Sequence, residues 1–287
     1  MTQHESKHMQ AGVVGWPIGH SLSPRLHGYW LREHGIDGDY QAYAVKPENL
    51  KDFIRSLPAQ GICGVNLTVP HKELVFPFLD YIDDLARKIG AVNFVRVEDD
   101  KLYGGNTDGY GFLANLQENA PTWRPTAGPV AIIGAGGAAR AAIVSLLEAG
   151  VPEVRLYNRT KTRAEKLGQI YAEYYDPARL KVGDWVDLSS GLSDITLLVN
   201  TTTLGMKGQP PLEIDLSRLP NTAVVYDIVY NPLETDLLRA ARERGNVTVD
   251  GLGMLLYQAA PAFAAWFGQE VKVDPAVRHY VLKGLEV

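Results

Sequence analysis

The sequence predicts an α/β protein of two domains, the second of them doubly wound. Three observations carry that prediction. At 287 residues the chain is too long for a comfortable single domain. Short apolar runs alternate with helix-period segments along most of it, the pattern of sheets layered with helices. Residues 119–128, NAPTWRPTAG, interrupt that cadence with proline and polar side chains and mark a loop and a candidate boundary.

Before that loop, residues 12–15 form the first expected strand. Ser23 is placed as a helix N-cap, Pro24 occupies the first helical position, and Gly35 closes the helix. Residues 39–45 are expected as a strand, 48–57 as a helix, and 62–69 as a strand ended by Pro70, with a helix from about His71. Residues 91–97 and 101–103 flank Glu98, Asp99 and Asp100 as a hairpin. Asn106, Thr107, Asp108 and Gly109 open a helix at 110–116. After the loop come a compact apolar strand at 130–133, a helix at 137–149, a strand at 153–157 and a helix at 163–174. Strands at 194–199 and 223–228, a helix at 234–244 and a short strand at 247–249 follow. This is the cadence of a doubly wound nucleotide-binding domain. Residues 251–269 are apolar and uncharged, but Gln258, Pro261 and Gln269 suit a buried helix better than a membrane span.

Composition narrows the function classes. The chain is 46% hydrophobic and 21% charged, with a formal net charge of -5 and no basic or acidic block. Those values argue against a nucleic-acid or anionic-membrane partner, so any anionic ligand must be met by a few local cations. Cys63 is the only cysteine, which excludes an internal disulfide; its apolar setting at 61–69 places it as a buried structural thiol. The opening segment MTQHESKHMQ is polar and has no signal-peptide run, so a reducing cytoplasm is the expected location.

Residues 130–140, VAIIGAGGAAR, carry a phosphate-binding fingerprint. Gly134, Gly136 and Gly137 stand where a strand turns sharply and a backbone must approach a pyrophosphate, with Ala135 between them and Ala139 in the last place. The helix that follows aims free N–H groups at the phosphates, and Ala138, Ala139, Ala141 and Ala142 keep it slim against the sheet. The next strand decides between cofactors. It ends in Asn158, Arg159, Thr160, Lys161, Thr162 and Arg163, with no carboxylate to accept from a ribose 2′-hydroxyl. Arginine there can grip a 2′-phosphate bidentately, so NADP is the expected cofactor.

Three polar clusters stand at the expected carboxyl ends of first-half strands, where open α/β sheets bind ligands. They are Ser21 with Ser23; Asn66, Thr68 and Lys72; and Asn106 to Gly109. Singly, each has a bland alternative as a cap, a surface lysine or an N-terminal helix charge. Their joint placement favours a site. No histidine pair has zinc spacing, and His27 and His34 are placed as surface or helix-packing residues.

Seven motifs in one order resemble those of the shikimate dehydrogenases: GHSLSP at 19–24, NLTVPHK at 66–72, GAVN at 90–93, NTDG at 106–109, GAGGAAR at 134–140, NRT at 158–160 and GLGMLLYQ at 251–258. The resemblance spans nearly the whole chain. It implies an N-terminal α/β substrate domain at 1–107, to which 252–287 return, and a Rossmann-type NADP-binding domain at 108–251. It implies an active site in the cleft between them, with helices near Asp108 and Gly251 joining the lobes and the cleft able to close. By the same resemblance Ser21 and Ser23 bind the substrate carboxylate. Asn66, Thr68, Lys72, Asn93, Asp108 and Gln258 surround the ring hydroxyls, and Tyr230 closes the site. Gly134 to Ala138 and Asn158 to Arg163 hold NADP, Ile228 and Gly251 lie near the nicotinamide, and Asp84 reaches the cofactor from the first domain. Many relatives have methionine at the place of Ile228, so its role carries over less directly. His20 and His71 lie within motifs but inherit no catalytic role.

The implied reaction interconverts 3-dehydroshikimate and shikimate in aromatic amino acid (chorismate) biosynthesis. Reducing a ketone needs a hydride on carbon and a proton on oxygen. Lys72 is the candidate for the proton, with Asp108 as its partner in a dyad. The carboxylate would raise the lysine pKa and burial would lower it, so the titration belongs to the pair. Two rivals stay open: a quinate/shikimate dehydrogenase with relaxed substrate or NAD use, and a non-catalytic NADP-sensing protein. The second would have no reason to keep both Lys72 and Asp108. Oligomeric state is not legible in the residues; a homodimer stands as an expectation.

Overall fold

The computed structural model describes residues 8–285. It divides into two compact units, Met1–Thr107 with Leu256–Val287, and Asp108–Leu255.

The first unit is built on a six-stranded mixed sheet. Its strands are β1 (Met9–Gly15), β2 (Gly38–Ala44), β3 (Ile62–Leu67), β4 (Tyr81–Ile82), β5 (Phe94–Glu98) and β6 (Lys101–Gly105), in the order β2-β1-β3-β5-β6-β4. Its helices in this stretch are α1 (Ser23–Glu33), α2 (Leu50–Ser56), α3 (His71–Leu74) and α4 (Asp84–Ile89). β1 runs parallel to both neighbours, with Val13 opposite Ala42 on one side and Asn66 on the other. The order therefore reverses between β1 and β3, and their carboxyl ends form a switch point. β5 and β6 pair antiparallel through a two-residue turn. Asp99 and Asp100 there have φ of 49° and 58°, the left-handed backbone that tight hairpins demand. On one side of the sheet Leu50, Ile54 and Leu57 pack with Val14, Val65, Leu67 and Val95.

The second unit begins with α5 (Asp108–Asn119) and carries an entirely parallel sheet. Its elements are β7 (Val130–Ile133), α6 (Gly137–Glu148), β8 (Val154–Tyr157), α7 (Lys161–Tyr171), β9 (Leu180–Gly183), β10 (Leu197–Asn200), β11 (Val224–Asp227), α8 (Asp236–Glu243) and β12 (Val247–Val249). The order β12-β11-β10-β7-β8-β9 reverses between β7 and β10, as a doubly wound sheet must. β7, β10 and β11 are buried along their whole length, which explains their unbroken apolar runs. Phe112 of α5 stacks on Tyr226 with ring centroids 4.8 Å apart.

The chain re-enters the first unit inside α9 (Leu252–Phe267), and α10 (Pro275–Leu282) follows. α9 supplies Phe263 and Trp266 to an aromatic layer with Trp30 and Tyr40. The Trp266 Nε1–H donates to Val95 O at 3.0 Å. A Cβ on Gly64 would come within 2.2 Å of that nitrogen, so the indole lies where any other residue would put its side chain. Among the described residues no helix is long and apolar enough to cross a membrane.

Several local expectations are corrected. Ser23 is not the cap of α1: Leu22 holds that position without a side-chain cap, and the Ser23 N–H donates to Ser21 Oγ at 3.3 Å. The 48–57 helix is a 3-10 turn over Pro47–Asn49 running into α2, because Pro47 starts a turn the α-helix takes up only later. Cys63 is half-buried rather than buried. β4, α4 and β9 had no sequence counterpart, whereas α10 falls within 252–287, expected as C-terminal helices.

Candidate active site

In the first unit the site residues gather at the carboxyl ends of β1 and β3. Ser21 and Ser23 stand in the loop after β1 and the first turn of α1. Asn66 is next to last in β3, and Thr68 lies just past it, its N–H donating to Val14 O at 2.9 Å. The Asn66 side chain accepts from the Tyr40 hydroxyl at 2.6 Å and donates to Asn93 O at 3.2 Å. The Asn93 amide donates to Thr107 Oγ1 at 2.9 Å and to Gln258 Oε1 at 3.2 Å, and its oxygen accepts from Thr107 N at 2.8 Å. Asn66, Asn93, Thr107 and Gln258 are all buried. Buried amides so connected are held in one orientation, since each would lose partners by turning over.

Lys72 is half-buried on α3. The turn beneath it is pinned by backbone and imidazole. His71 N donates to Thr68 O at 2.8 Å, and Val92 N donates to Lys72 O at 2.9 Å. The His71 Nε2 lies 2.7 Å from Val45 O, and because a carbonyl only accepts, that nitrogen carries the proton. Burial lowers the His71 pKa, with the Val45 bond opposing, so the ring is a neutral strut for α3. Asp84 is exposed in the first turn of α4, where Asp83 caps the helix by accepting from Ala86 N.

In the second unit Asp108 is buried in the first turn of α5. The glycine turn follows β7. Gly134 has φ of 113°, and a Cβ there would meet Thr201 Oγ1 at 2.6 Å, so both conformation and space require glycine. Gly136 caps α6, and a Cβ on it would meet nothing within 4 Å. Gly137 and Ala138 open the helix, and the glycine at its cap position has no side chain to bond its amino end. That open helix start fits a pyrophosphate.

At the end of β8, Asn158 donates to Thr160 O at 2.8 Å and shapes the turn. Arg159 and Arg163 are exposed there, whereas Lys161 is held by Asp184 at 2.6 Å. The residues thus fit a phosphorylated ribose through the two arginines. Ile228, just past β11, presents its carbonyl to Gly251, where a Cβ would lie 2.0 Å from that oxygen. Tyr230 is half-buried two residues on, and burial raises its phenol pKa.

Sequence reasoning missed Tyr40 and the fully buried pair Asn200–Asp227. Asn200 donates to Asp227 Oδ1 at 2.9 Å, Val229 N donates to the same oxygen at 3.0 Å, and the Thr235 hydroxyl donates to Oδ2 at 2.7 Å. Burial nonetheless pushes the Asp227 carboxyl up to about 6 against those three donors. The only signal in the sequence was a polar residue closing each of two apolar strands.

A glycine turn and a basic ribose turn on one doubly wound sheet, with amides and hydroxyls at the switch point of a second α/β unit, define a dinucleotide-dependent oxidoreductase. Residues 13–95 match the model of the shikimate dehydrogenase substrate binding domain, and residues 251–277 that of the shikimate 5'-dehydrogenase C-terminal domain. The chain is 56% identical over 273 residues to the shikimate dehydrogenase (NADP(+)) of Paramagnetospirillum magneticum, covering 95% of this chain and 97% of that one. The chain belongs to the shikimate dehydrogenase family, NADP-dependent oxidoreductases acting on an alcohol. Among solved structures it is similar to the shikimate 5-dehydrogenase of Thermus thermophilus in complex with NADP(H) and shikimate, with a TM-score of 0.84, 34% identity and coverage of 96% and 99% of the two chains. It is also similar to the quinate dehydrogenase of Corynebacterium glutamicum in complex with NAD, with a TM-score of 0.89, 29% identity and coverage of 96% and 99%.

Proposed function

We propose that this chain catalyses the reversible NADPH-dependent reduction of 3-dehydroshikimate to shikimate. The observation that carries the reading is the buried amide network at the first unit's switch point, in a chain whose second unit pairs a glycine turn with an acid-free basic turn. A ring bearing several hydroxyls needs donors and acceptors fixed in advance, and that network supplies them. Ser21 and Ser23 offer hydroxyl donors to the ring carboxylate, and Asn66, Thr68, Asn93 and Gln258 meet the ring hydroxyls. Tyr230 closes over the substrate.

NADPH supplies the hydride when bound, with Gly134, Ala135, Gly136, Gly137 and Ala138 at its pyrophosphate and Asn158, Arg159, Thr160 and Arg163 at its ribose phosphate. Ile228 and Gly251 would serve its nicotinamide end, and Asp84 is assigned to the same cofactor. Lys72 gives its proton to the carbonyl oxygen as carbon gains hydride, and takes it back in the reverse direction. Asp108 is assigned as the partner carboxylate of that proton transfer.

The quinate-type reading is favoured by the likeness to an NAD-bound quinate dehydrogenase. Arg159 and Arg163 weigh against it, since their positive charge matches a 2′-phosphate that NAD lacks. Steady-state rates with shikimate and quinate, each with NADP and NAD, separate the two. Shikimate with NADP should exceed each other combination at least tenfold in kcat/KM, about 1.4 kcal/mol in transition-state binding. Equal rates with quinate or with NAD would favour the relaxed enzyme. Cofactor binding without any shikimate-dependent absorbance change would favour a sensor.

A further inference from the structure

Tyr40 lies on β2, outside every motif discussed above, yet its hydroxyl reaches the substrate network. It donates to Asn66 Oδ1 at 2.6 Å. On the other side of the same amide, Asn66 Nδ2 faces the Asn93 carbonyl at 3.2 Å. A carbonyl can only accept, so the nitrogen must point to Asn93 and the oxygen to Tyr40. The Asn93 carbonyl sets which end is which, and the Tyr40 hydroxyl, able to donate or accept, holds the oxygen end in place. That orientation leaves the second N–H of the Asn66 amide, and not its oxygen, to meet a ligand.

The phenol is itself fixed. Its ring lies 4.0 Å from the His27 imidazole, with planes 3° apart. His27 is fully buried, and both ring nitrogens lack a hydrogen-bond partner among the described residues. Burial holds that imidazole down at about 3, so it stacks as a neutral plate. Trp30, Phe263 and Trp266 close around His27 at ring distances of 5.8, 5.8 and 5.7 Å. Burial also holds the Tyr40 phenol well above its ordinary value, with the Ser23 hydroxyl opposing only in part. Tyr40 therefore stands protonated, its one hydroxyl meeting both Ser23 and Asn66.

We infer that Tyr40, held flat by His27, is a positioning residue of the substrate site that sets the Asn66 amide to donate to a ring hydroxyl. The inference rests on the substrate reading above and deepens it. Without the Tyr40 hydroxyl, Asn66 Oδ1 is left buried and unpaired, and the amide is held only through its bond to Asn93. An amide held at one end can tilt about that bond and carry its second N–H off the line to the ring hydroxyl.

The test is a cycle of Tyr40→Phe and Asn66→Ala in the full-length enzyme. Tyr40→Phe keeps the ring and its stacking on His27. It should raise KM for shikimate about tenfold, with kcat changed less than about threefold and KM for NADP unchanged. In the Asn66→Ala background, Tyr40→Phe should change KM for shikimate less than about twofold, because its intermediary is gone. A wild-type KM in Tyr40→Phe, or an equal tenfold effect in both backgrounds, overturns the role of Tyr40. A fall in melting temperature with KM for both substrates raised alike would also overturn it, as the mark of mere scaffolding. An unchanged KM in Asn66→Ala alone would instead remove the substrate from Asn66, and the inference with it. His27→Phe, which keeps an aromatic plate, should behave as wild type, whereas His27→Ala should reproduce the KM rise; the reverse pattern overturns the role of His27.

Discussion

The buried Asp227 carboxyl should make the second unit lose stability as pH rises through weak acid. The perturbation is pH itself, with Asp227→Asn as the reference protein. Burial is the leading cause that moves this carboxyl from 3.8 up to about 6, against the bonds from Thr235, Val229 and Asn200. Below the lower value the group is neutral whether folded or unfolded and imposes no cost. Between the two values the unfolded chain ionises while the folded one holds its proton, so stability falls; above about 6 the cost is constant. With the group fully buried, two pH units amount to about 3 kcal/mol, of which about 2 kcal/mol falls between about pH 4.5 and 7. Asparagine at this position keeps the Oδ1 acceptor for Asn200 and Val229 but carries no charge at any pH. Calorimetric melting of both proteins across that range should show wild type losing about 4–8 °C relative to Asp227→Asn. Parallel curves, or a wild type that gains on the variant as pH rises, would refute the argument that burial outweighs the three donors.

Lys72→Ala and Asp108→Asn should each lower kcat by about 10²–10⁴ with melting temperatures near wild type, measured by NADPH formation from shikimate; near-wild-type turnover in both would remove the dyad. Arg159→Ala and Arg163→Ala should each raise KM for NADP about tenfold while leaving KM for NAD unchanged, the loss of one charge-assisted contact to a phosphate. Gly251→Ala would force a methyl within 2.0 Å of the Ile228 carbonyl. It should cost about 1–3 kcal/mol of stability and raise KM for NADP, read by melting and steady-state kinetics.

What the sequence made legible follows from burial and turn chemistry. The central strands of the second unit announce themselves because they are covered on both faces, so Val130 to Ile133 and Leu197 to Val199 are unbroken apolar runs. The glycine turn was legible because Gly134 answers a local backbone need, while Gly136, with room for a Cβ in the structure, was legible only through the motif. β4, only two residues long, and β9, with Lys181 exposed and Gly183 at its end, carry too little periodicity to stand out. Ser23 was misplaced as a cap because the serine-proline signal does not tell whether the hydroxyl bonds back to the helix. Tyr40 and Asp227 were invisible for a deeper reason. A tyrosine in a strand and an aspartate closing one are ordinary in sequence, and their significance lies in partners 26 and 27 positions away.

The split of the first unit along the chain bears on how the protein is made. Phe263 and Trp266, which close over His27 and Tyr40, leave the ribosome only after the whole second unit has been translated. Until then the nascent first sheet presents an aromatic face to solvent, with Gly64 uncovered where the indole will lie. Translation past the second unit, and not the synthesis of the first, is the event that completes the earlier fold.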